Sequence, residues 1–370
     1  MDYIKKKFEE IEDPRHKSYV SHNLSEVLII IMCSVMCGLD GLAELTVFAQ
    51  KRAEFFKSKF GIKAIPSKPT FSRILNMLDG DKVAGVIIEI MLERAKFMKH
   101  ISNILAVDGK AIRSTSKEGK GSSAMQILTA YLTESGVVLG QETIHEKTNE
   151  IPVFQEMLEY LNVKGKIVTA DAMHCQKETC RKIIEGGGDY VFGLKENQKL
   201  LYKDVSLFIG SKINAENIES HTTIEKNGGR IEKRVCKKVT DIGWLAGKDD
   251  WPGLKTVFAV RRITTAKNKT TDETGYYITS SDGTAEDLLR ATREHWKIES
   301  LHWLMDVVFT EDECEILSEN GHKIFNILRK LALMLHKQFL ASQTKKISIK
   351  ANLLNCLLDH DNLSLLIESL

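Results

Sequence analysis

The stretch Leu105-Ala106-Val107-Asp108-Gly109-Lys110 carries a short apolar run that ends in an acidic residue. A second run, Ile167-Val168-Thr169-Ala170-Asp171, ends in the same way. Such runs are typical of buried strands, and ligands of open α/β sheets bind outside the carboxyl ends of the strands. If the two strands are neighbours, Asp108 and Asp171 lie side by side. Taken singly, each aspartate is also typical of a turn residue or a helix cap.

Length and composition indicate a globular protein of two or three structural units. The chain has 370 residues, of which 43% are apolar and 28% are charged, so it can bury a large core and is not largely disordered. Its formal net charge is only +2. This balance neither requires nor excludes nucleic acid, because affinity depends on the particular basic residues that meet phosphate.

Seven scattered cysteines do not form the disulfide framework that is typical of secreted proteins. We therefore expect a reducing cytoplasm, and we expect Cys33 and Cys37 to pack in the core. The first ten residues lack the apolar segment of a signal peptide, and the apolar run 27–37 is too short to cross a bilayer. A membrane is not expected among the partners of the chain.

The first hundred residues have the apolar spacing of helices and few strand signals. We predict helices over residues 24–37, 42–60, 71–78 and about 82–99. These helices form an all-helical domain of residues 1–100.

From residue 104 the pattern changes to short strands that alternate with helices. Strands are predicted over 104–107, 166–170 and 190–194, a hairpin over 125–132 and 137–144, and helices over about 148–161 and 176–185. This order is typical of a mixed α/β sheet covered by helices.

Three further strands, over 230–240, 255–263 and 275–280, predict a β-rich insertion at about 200–283. A helix capped by Thr284 then runs to Glu299, and a helical tail occupies about 318–370.

Asp108, Asp171 and Glu299 together are the candidate metal ligands. Three hard oxygen donors without a cysteine partner favour Mg²⁺ or Mn²⁺ over zinc. Two such ions about 3.5–4 Å apart would activate an attacking water or hydroxyl and stabilise the leaving oxygen of a phosphoryl transfer. The sequence gives the ligand type and not the distance between the side chains.

Motifs along almost the whole chain match a known family. The matching stretches are Asp13-Pro14-Arg15, Ile65-Pro66-Ser67, Thr70-Phe71-Ser72-Arg73, Val107-Asp108-Gly109-Lys110, Val138-Leu139-Gly140-Gln141, Glu146-Lys147-Thr148-Asn149-Glu150-Ile151, Thr169-Ala170-Asp171-Ala172-Met173, Cys175-Gln176, Asp189-Tyr190, Leu194-Lys195, Asn197-Gln198 and His295-Trp296-Lys297-Ile298-Glu299-Ser300-Leu301-His302-Trp303. With these motifs the chain resembles the H-repeat-associated insertion-sequence transposases, a branch of the DDE transposases with a ribonuclease-H-like core.

The resemblance implies a metal-dependent enzyme that cleaves and joins DNA strands, with Asp108, Asp171 and Glu299 as its acidic triad. It implies a ribonuclease-H-like mixed sheet with a β-rich insertion in a catalytic domain of residues 101–370, and DNA binding by the helical domain of residues 1–100. The expected partners are double-stranded DNA, as terminal inverted repeats and target, and a second copy of the chain on that DNA. Two Mg²⁺ or Mn²⁺ ions are the expected cofactors.

Two groups of polar and basic residues are candidates for DNA binding. One group follows the first aspartate and the fifth strand, and its lysines could instead balance the charge of the carboxylates. The other lies on one strand, where the alternative is a solvated edge strand protected by lysine. The first group comprises Lys110, Arg113, Lys195, Asn197 and Gln198, and the second comprises Arg230, Lys233, Arg234, Lys237 and Lys238.

Several positions depart from the pattern or allow other interpretations. Where the wider transposase group often has an arginine and a lysine around the glutamate, this chain has His295 and Asp306. Trp296 favours core packing over base stacking, and a zinc site at His174 and Cys175 is disfavoured.

Two functions other than strand transfer are compatible with parts of this pattern. A DNA-binding protein that has lost transposition remains the alternative. A glycoside hydrolase, which needs two acids and an aromatic sugar cleft, fits poorly with 7% aromatic residues and three spaced acids.

Overall fold

The computed structural model describes residues 2–16, 18, 20–97, 103–116, 124–144, 149–211, 218–267, 269–316 and 318–368. In these ranges a nine-stranded sheet is flanked by helices from both ends of the chain. The predicted fold class is therefore confirmed: a mixed α/β sheet with a β-rich insertion, N-terminal helices and C-terminal helices.

The N-terminal helices pack around α2, an almost entirely apolar helix. Every residue of α2 except Glu26 is buried, and Asn23 caps its first turn by accepting a hydrogen bond from the Ser25 backbone. No helix in the described ranges is long and apolar enough to cross a membrane. The six helices are α1 (Asp2–Glu9), α2 (Leu24–Met36), α3 (Leu42–Lys51), α4 (Ala53–Phe60), α5 (Lys68–Met77) and α6 (Gly80–Ala95).

The helix predicted over residues 42–60 is interrupted. Arg52 has φ −106° and ψ 19° and separates α3 from α4. Its guanidinium Nη2 donates a 2.6 Å hydrogen bond to the carbonyl of Leu357 near the C-terminus. Helix α6 begins earlier than predicted because Asp79 accepts hydrogen bonds from the Asp81 and Lys82 amides, and the predicted end of this helix at residue 99 lies outside the described residues.

Five strands form the central part of the sheet in the order β3-β2-β1-β4-β5. Strand β1 is antiparallel to β2 and parallel to β4, which in turn is parallel to β5. The hairpin predicted at β2 and β3 has the predicted bounds, and Gly136, at φ 74°, occupies its turn. The strands are β1 (Ile104–Ile112), β2 (Met125–Leu132), β3 (Val137–Ile144), β4 (Ile167–Ala170) and β5 (Asp189–Leu194), with α7 (Glu150–Tyr160) before β4 and α8 (Lys177–Glu185) before β5.

The insertion extends this sheet instead of forming a separate one. Its last strand pairs antiparallel with β5, so the order continues β5-β9-β8-β7-β6. Strand β7 carries the predicted basic group and lies between β6 and β8, so the interpretation of that strand as a protected edge is wrong. The insertion comprises α9 (Lys199–Gly210), β6 (Glu219–Asn227), β7 (Arg230–Val239), β8 (Thr256–Ala266) and β9 (Lys269–Thr279).

Helix α12 joins the two ends of the chain to the sheet. Its residues from Gly321 to His336 are all buried, and it packs against α2, α5, α6 and β3. The helix predicted to run from Thr284 to Glu299 is two helices that meet at Trp296. Trp296 was expected to pack in the core, but it is 55% exposed. The C-terminal helices are α10 (Ala285–His295), α11 (Lys297–Val307), α12 (Glu319–Ser342), α13 (Ile349–Leu358) and α14 (His360–Glu368).

Candidate catalytic site

The fold brings Asp108 and Asp171 together on neighbouring strands. The parallel pairing of β1 with β4 ends at Val107 and Ala170, and the two aspartates are the next residues. Strand β1 nevertheless continues to Ile112, with Asp108 opposite Thr129 of β2. The expectation that Asp108 ends its strand is therefore wrong, whereas Asp171 does follow the end of β4.

The two carboxylates have unlike electrostatic surroundings. Burial, together with the negative charge of Asp171, raises the pKa of Asp108 to about 6. His295 lies beside Asp171, with Nε2 3.8 Å from Oδ1, and it holds the pKa of Asp171 below its usual value although burial acts in the opposite direction. The other ring nitrogen of His295 is 3.2 Å from the Thr169 hydroxyl. His295 therefore links the Asp171 carboxylate to strand β4.

Helix α11 presents one face to β1. His302 Nδ1 is 3.5 Å from Asp108 Oδ2, and Asp306 accepts a 2.6 Å hydrogen bond from Lys110. Residues three and four apart share a helix face, so Glu299 lies on this face one turn before His302. Its side chain is exposed, and within the described part of the chain it makes no hydrogen bond or ion pair. The aspartates are thus adjacent, and Glu299 is on the helix beside them without a contact to either.

The donor chemistry fits a hard divalent cation. The negative charge of Asp171 acts unfavourably on the ionised form of Asp108, and carboxylate oxygens are ligands that suit Mg²⁺ or Mn²⁺. His302 does not neutralise Asp108, because burial lowers the pKa of His302 to about 3 and keeps its ring uncharged near neutral pH. Within the described residues no group of three His, Cys, Asp or Glu side chains is arranged to hold a metal. Asp108 and Asp171 are therefore the two carboxylates that the described residues bring together at this end of β1 and β4.

Glu150, part of the matching motif at residues 146–151, is an acidic residue near this site that the sequence analysis did not include among the candidate ligands. It is the first residue of α7, where Asn149 accepts a hydrogen bond from the Ile151 amide. Its carboxylate atoms lie 3.0 Å from the position that a Cβ of Gly109 would occupy. The Glu150 charge contributes to the raised pKa of Asp108. The glycine directly after Asp108 leaves room for the Glu150 carboxylate beside this strand.

His174, three residues after Asp171, holds Glu150 from the other side. Its Nε2 is 3.0 Å from Glu150 Oε1, and its buried ring packs edge-on against Phe154. Cys175 is also buried. These contacts account for His174 without zinc, and the described residues contain no zinc-type cluster around it.

Asn197 and Gln198 hold the segment that follows Asp171. The Asn197 side-chain amide donates a 2.7 Å hydrogen bond to the Ala172 carbonyl, and that of Gln198 donates a 2.9 Å bond to the Cys175 carbonyl. Both residues were predicted to contact DNA. Their amide donors instead tie two loops of this protein together, and their contact with DNA stays a prediction.

Lys110, a residue of β1, belongs to a group of buried charged side chains. Its side chain is only 11% exposed, and its ammonium lies 2.6 Å from Asp306 and 2.9 Å from Glu311. Glu311 is fully buried, accepts a 2.8 Å bond from Asn326 and lies 3.5 Å from Arg329. This placement favours charge balance over DNA contact for Lys110.

Lys330, next to Arg329 on α12, completes the group. It donates hydrogen bonds of 2.8 Å to Thr129 and 3.0 Å to Gln141, and Thr129 is the residue opposite Asp108. Burial lowers the pKa of Lys330 to about 7. We call Lys110, Glu311, Arg329 and Lys330 the buried charge network.

The other predicted DNA-binding residues differ in exposure. Arg113 is 85% exposed at the end of β1, near Asp312. Lys195 is exposed after β5, and its charge helps to lower the pKa of Asp171. Lys233 and Lys237 are exposed on one face of β7.

On the other face of β7, Arg230 and Arg234 pair with Glu232, and Lys238 is buried 3.0 Å from Glu219. The predicted basic strand thus has one open face and one face already paired with glutamates.

All seven cysteines are buried and free. This agrees with the expectation that the chain has no disulfide framework. Cys33 and Cys37 both lie in the main hydrophobic core, as predicted.

Comparisons with known proteins give one family. The Transposase DDE domain family matches residues 99–335, and the family described as DDE_Tnp_1-associated matches residues 5–91. The "H repeat-associated putative transposase YhhI" of Escherichia coli K12 is 33% identical over 333 residues, which cover 87% of each chain. The "Putative transposase YncI" of Escherichia coli O157:H7 is 34% identical over 344 residues, covering 90% of this chain and 86% of the relative.

Among solved structures, the piggyBac transposase synaptic complex with hairpin DNA matches at 10% identity with a TM-score of 0.46, over 99% of this chain and 77% of that chain. This likeness is too low to carry an argument. The family match and the relatives confirm the resemblance that the motifs indicated: the chain belongs to the DDE transposase family, with H-repeat-associated transposases among its relatives.

Proposed function

We propose that this protein cleaves phosphodiester bonds at the ends of a mobile element and joins those ends to target DNA, using Asp108, Asp171 and Glu299 with Mg²⁺ or Mn²⁺. The observation that carries the proposal is the adjacency of Asp108 and Asp171 where the pairing of β1 and β4 ends. Carboxylates that repel each other in this way are typical of a cation site.

Each side chain has a role in the proposed reaction. Asp108 and Asp171 hold the cations, and Glu299 approaches from α11 as the third carboxylate. When bound, two divalent ions polarise the attacking oxygen and stabilise the leaving one. His295 holds the Asp171 carboxylate beside β4 through its contact with Thr169, and His302 contacts Asp108 as an uncharged ring. Water and then a DNA 3′-hydroxyl are the attacking groups, so no covalent protein intermediate is needed.

DNA binding is proposed for exposed basic residues around this site. Arg113, Lys195, Lys233 and Lys237 have side chains open to solvent, and phosphate contacts from such residues position a duplex. Residues 1–100 are proposed as a helical DNA-binding domain and residues 101–370 as the catalytic domain. Since a transposase brings two DNA ends together, a homodimer on double-stranded DNA in the cytosol is the proposed working form.

The test is cleavage of a duplex that carries the terminal inverted repeat flanking the coding region. We expect strand cleavage with Mg²⁺ or Mn²⁺, none with EDTA, and loss of at least about a thousandfold in rate for Asp108→Asn, Asp171→Asn and Glu299→Gln. Asp361→Asn, a change at an exposed carboxylate of α14, is the matched control. It should cleave like the wild type.

Cleavage that survives all three substitutions would contradict the proposed mechanism. Metal-independent DNA binding without any nicking would favour the alternative, a DNA-binding protein derived from a transposase. Cleavage that survives only Glu299→Gln would indicate that Glu150, which already lies near Asp108, is the third carboxylate in place of Glu299.

A further inference from the structure

Glu150 touches the chain just after each of the two candidate metal ligands. Its carboxylate lies against Gly109, the residue after Asp108, with its atoms 3.0 Å from the place that a Cβ of Gly109 would take. The same carboxylate lies 3.0 Å from Nε2 of His174, the third residue after Asp171. One side chain of α7 therefore bridges the two segments that carry the aspartates.

The bridge lies on the face of β1 opposite α11. Successive side chains of a strand point to opposite faces of the sheet, and Asp108 points towards His302 of α11. The space over Gly109, which Glu150 occupies, therefore belongs to the other face. Helix α7 packs against β2 and β3. The two aspartates are thus held by histidines of α10 and α11 on one side and by the Glu150 bridge on the other.

Glu150 is the polar partner that orients His174. The His174 ring is fully buried and meets Phe154, one turn after Glu150 on α7, edge-on at 5.0 Å. Its Nδ1 has no hydrogen-bond partner among the described residues. A carboxylate accepts hydrogen bonds and does not donate them, so Nε2 is the donor to Glu150. Loss of the Glu150 oxygen would leave the turn after Asp171 without this anchor.

Both ends of the bridge are close enough to act on the aspartates. Burial and the charge of Asp171 raise the pKa of Asp108, and the charge of Glu150 adds to them. His295 is the main cause of the lowered pKa of Asp171, and His174 acts in the same direction. Glu150 is therefore coupled to one aspartate directly and to the other through His174.

We propose that Glu150 is a positioning residue, which fixes the spacing of Asp108 and Asp171 through Gly109 and His174 and so raises their affinity for a divalent cation. The proposal rests on the proposed function for the choice of a cation. Residues that orient metal ligands typically change metal affinity by about 10- to 100-fold when they are removed. Such a role depends on the hydrogen bond and the packing of Glu150, and not on its charge.

The experiment measures Mn²⁺ binding to the full chain without DNA, by electron paramagnetic resonance of the free ion. Glu150→Ala should weaken Mn²⁺ binding by about 10- to 100-fold. Glu150→Gln keeps an acceptor oxygen for His174 and removes the charge, so it should recover most of the lost affinity. A carboxylate that binds the cation itself would instead make the glutamine and alanine variants equally weak.

Gly109→Ala tests the same bridge from β1. The added Cβ would meet the Glu150 carboxylate at 3.0 Å and displace it, so this variant should also bind Mn²⁺ less tightly. In the Glu150→Ala background the substitution should have no further effect, because residues that act through one contact are not additive. Gly193→Ala in β5 is the matched control, since its Cβ would meet its nearest neighbours at an ordinary 3.8 Å. It should bind Mn²⁺ like the wild type.

Thermal unfolding shows whether each variant is folded. Glu150→Asp, which keeps the charge but is one methylene shorter, replaces Glu150→Ala in the double-mutant cycle if the alanine variant does not fold. Additive effects at Gly109 and Glu150, or equal losses in the glutamine and alanine variants, would overturn the proposal. The proposed function would still stand if Asp108→Asn abolishes Mn²⁺ binding. Wild-type Mn²⁺ affinity in Asp108→Asn would instead overturn the cation site and the positioning role together.

Discussion

Basic and acidic side chains build both the buried charge network and the cleft that Lys195, Arg262, Glu273 and Arg293 line between the insertion and α10. Water reaches the two regions to different extents. In the network, Glu311 and Arg329 are buried and Lys110 is nearly so. In the cleft, Arg262 and Glu273 remain close to half exposed. Removing one partner of a buried pair leaves a charge without solvent or counter-charge, whereas an exposed partner is replaced by water. The network therefore stabilises the packing around β1, whereas water can replace a lost partner of an ion pair in the cleft.

The largest expected effect is a loss of stability when a charge is removed from the buried charge network. Glu311→Leu leaves Lys110 and Arg329 without their shared carboxylate, and we expect a loss of about 3 to 5 kcal/mol in the free energy of unfolding. Urea unfolding followed by circular dichroism measures it. Asp282→Asn, which breaks the exposed pair with Lys255, is the control and should cost less than about 1 kcal/mol.

Glu311→Gln provides a milder variant in case Glu311→Leu does not fold. It keeps an acceptor for Asn326 while removing the charge, so its cost should lie between those of the leucine variant and the control. A loss below that of Asp282→Asn would show that burial does not distinguish the two kinds of pair.

A second comparison uses two lysines, Lys110 within β1 and Lys195 directly after β5. Lys110→Met should cost about 2 to 3 kcal/mol of stability, since two acidic partners lose a charged donor. Lys195→Met should change stability by less than about 0.5 kcal/mol but reduce the salt slope of DNA binding by about 1. Unfolding curves and affinities at several salt concentrations provide both readouts. A lowered salt slope in well-folded Lys110→Met would instead make Lys110 a DNA contact.

The third effect concerns Asp108 and pH. Because the pKa of Asp108 in the folded protein is about 6 and its usual value is 3.8, the folded state binds the extra proton between these values. The contribution of Asp108 to the stability of the metal-free wild type should fall as pH rises from about 4 through 6. Asp108→Asn removes this penalty, so relative to the wild type it should gain about 2 to 3 kcal/mol at pH 7 and almost nothing at pH 4.

Thermal unfolding at the two pH values tests this effect, with Asp361→Asn as the variant that should gain nothing at either pH. Adding Mg²⁺ should stabilise the wild type more than Asp108→Asn. A gain at pH 4 equal to that at pH 7 would show that the carboxylate charge is not its cause.

The central sheet could be predicted because its signals are local. Apolar runs and the Glu134-Ser135-Gly136 turn gave the hairpin its observed bounds. Strand β6 was missed because Glu219–Asn227 reads Glu-Ser-His-Thr-Thr-Ile-Glu-Lys-Asn, a polar edge strand without an apolar face. The break at Arg52 was missed because its partner, the Leu357 carbonyl, lies 305 residues away.

In the candidate site, too, local signals predict some residues, and the roles of others depend on distant contacts. Asp108 and Asp171 follow from apolar runs and strand order, whereas the sequence places Glu299 on a helix and leaves its distance from the aspartates open. Lys110 was assigned to DNA because its partners, Asp306 and Glu311, come from elements almost two hundred residues later. Contacts of this kind leave no periodic pattern in the sequence, so only the assembled fold distinguishes a structural lysine from an exposed one.

The pairing of β9 with β5 fixes the position of the insertion relative to the central strands. Val191 to Leu194 are in register with Thr279 to Tyr276, so the insertion is joined to the core by a ladder of backbone hydrogen bonds and not by a hinge. Tyr277 of β9 lines the cleft, while Lys195 directly follows β5 beside Asp171. We therefore expect the distance between the insertion and the two aspartates to stay fixed when DNA binds.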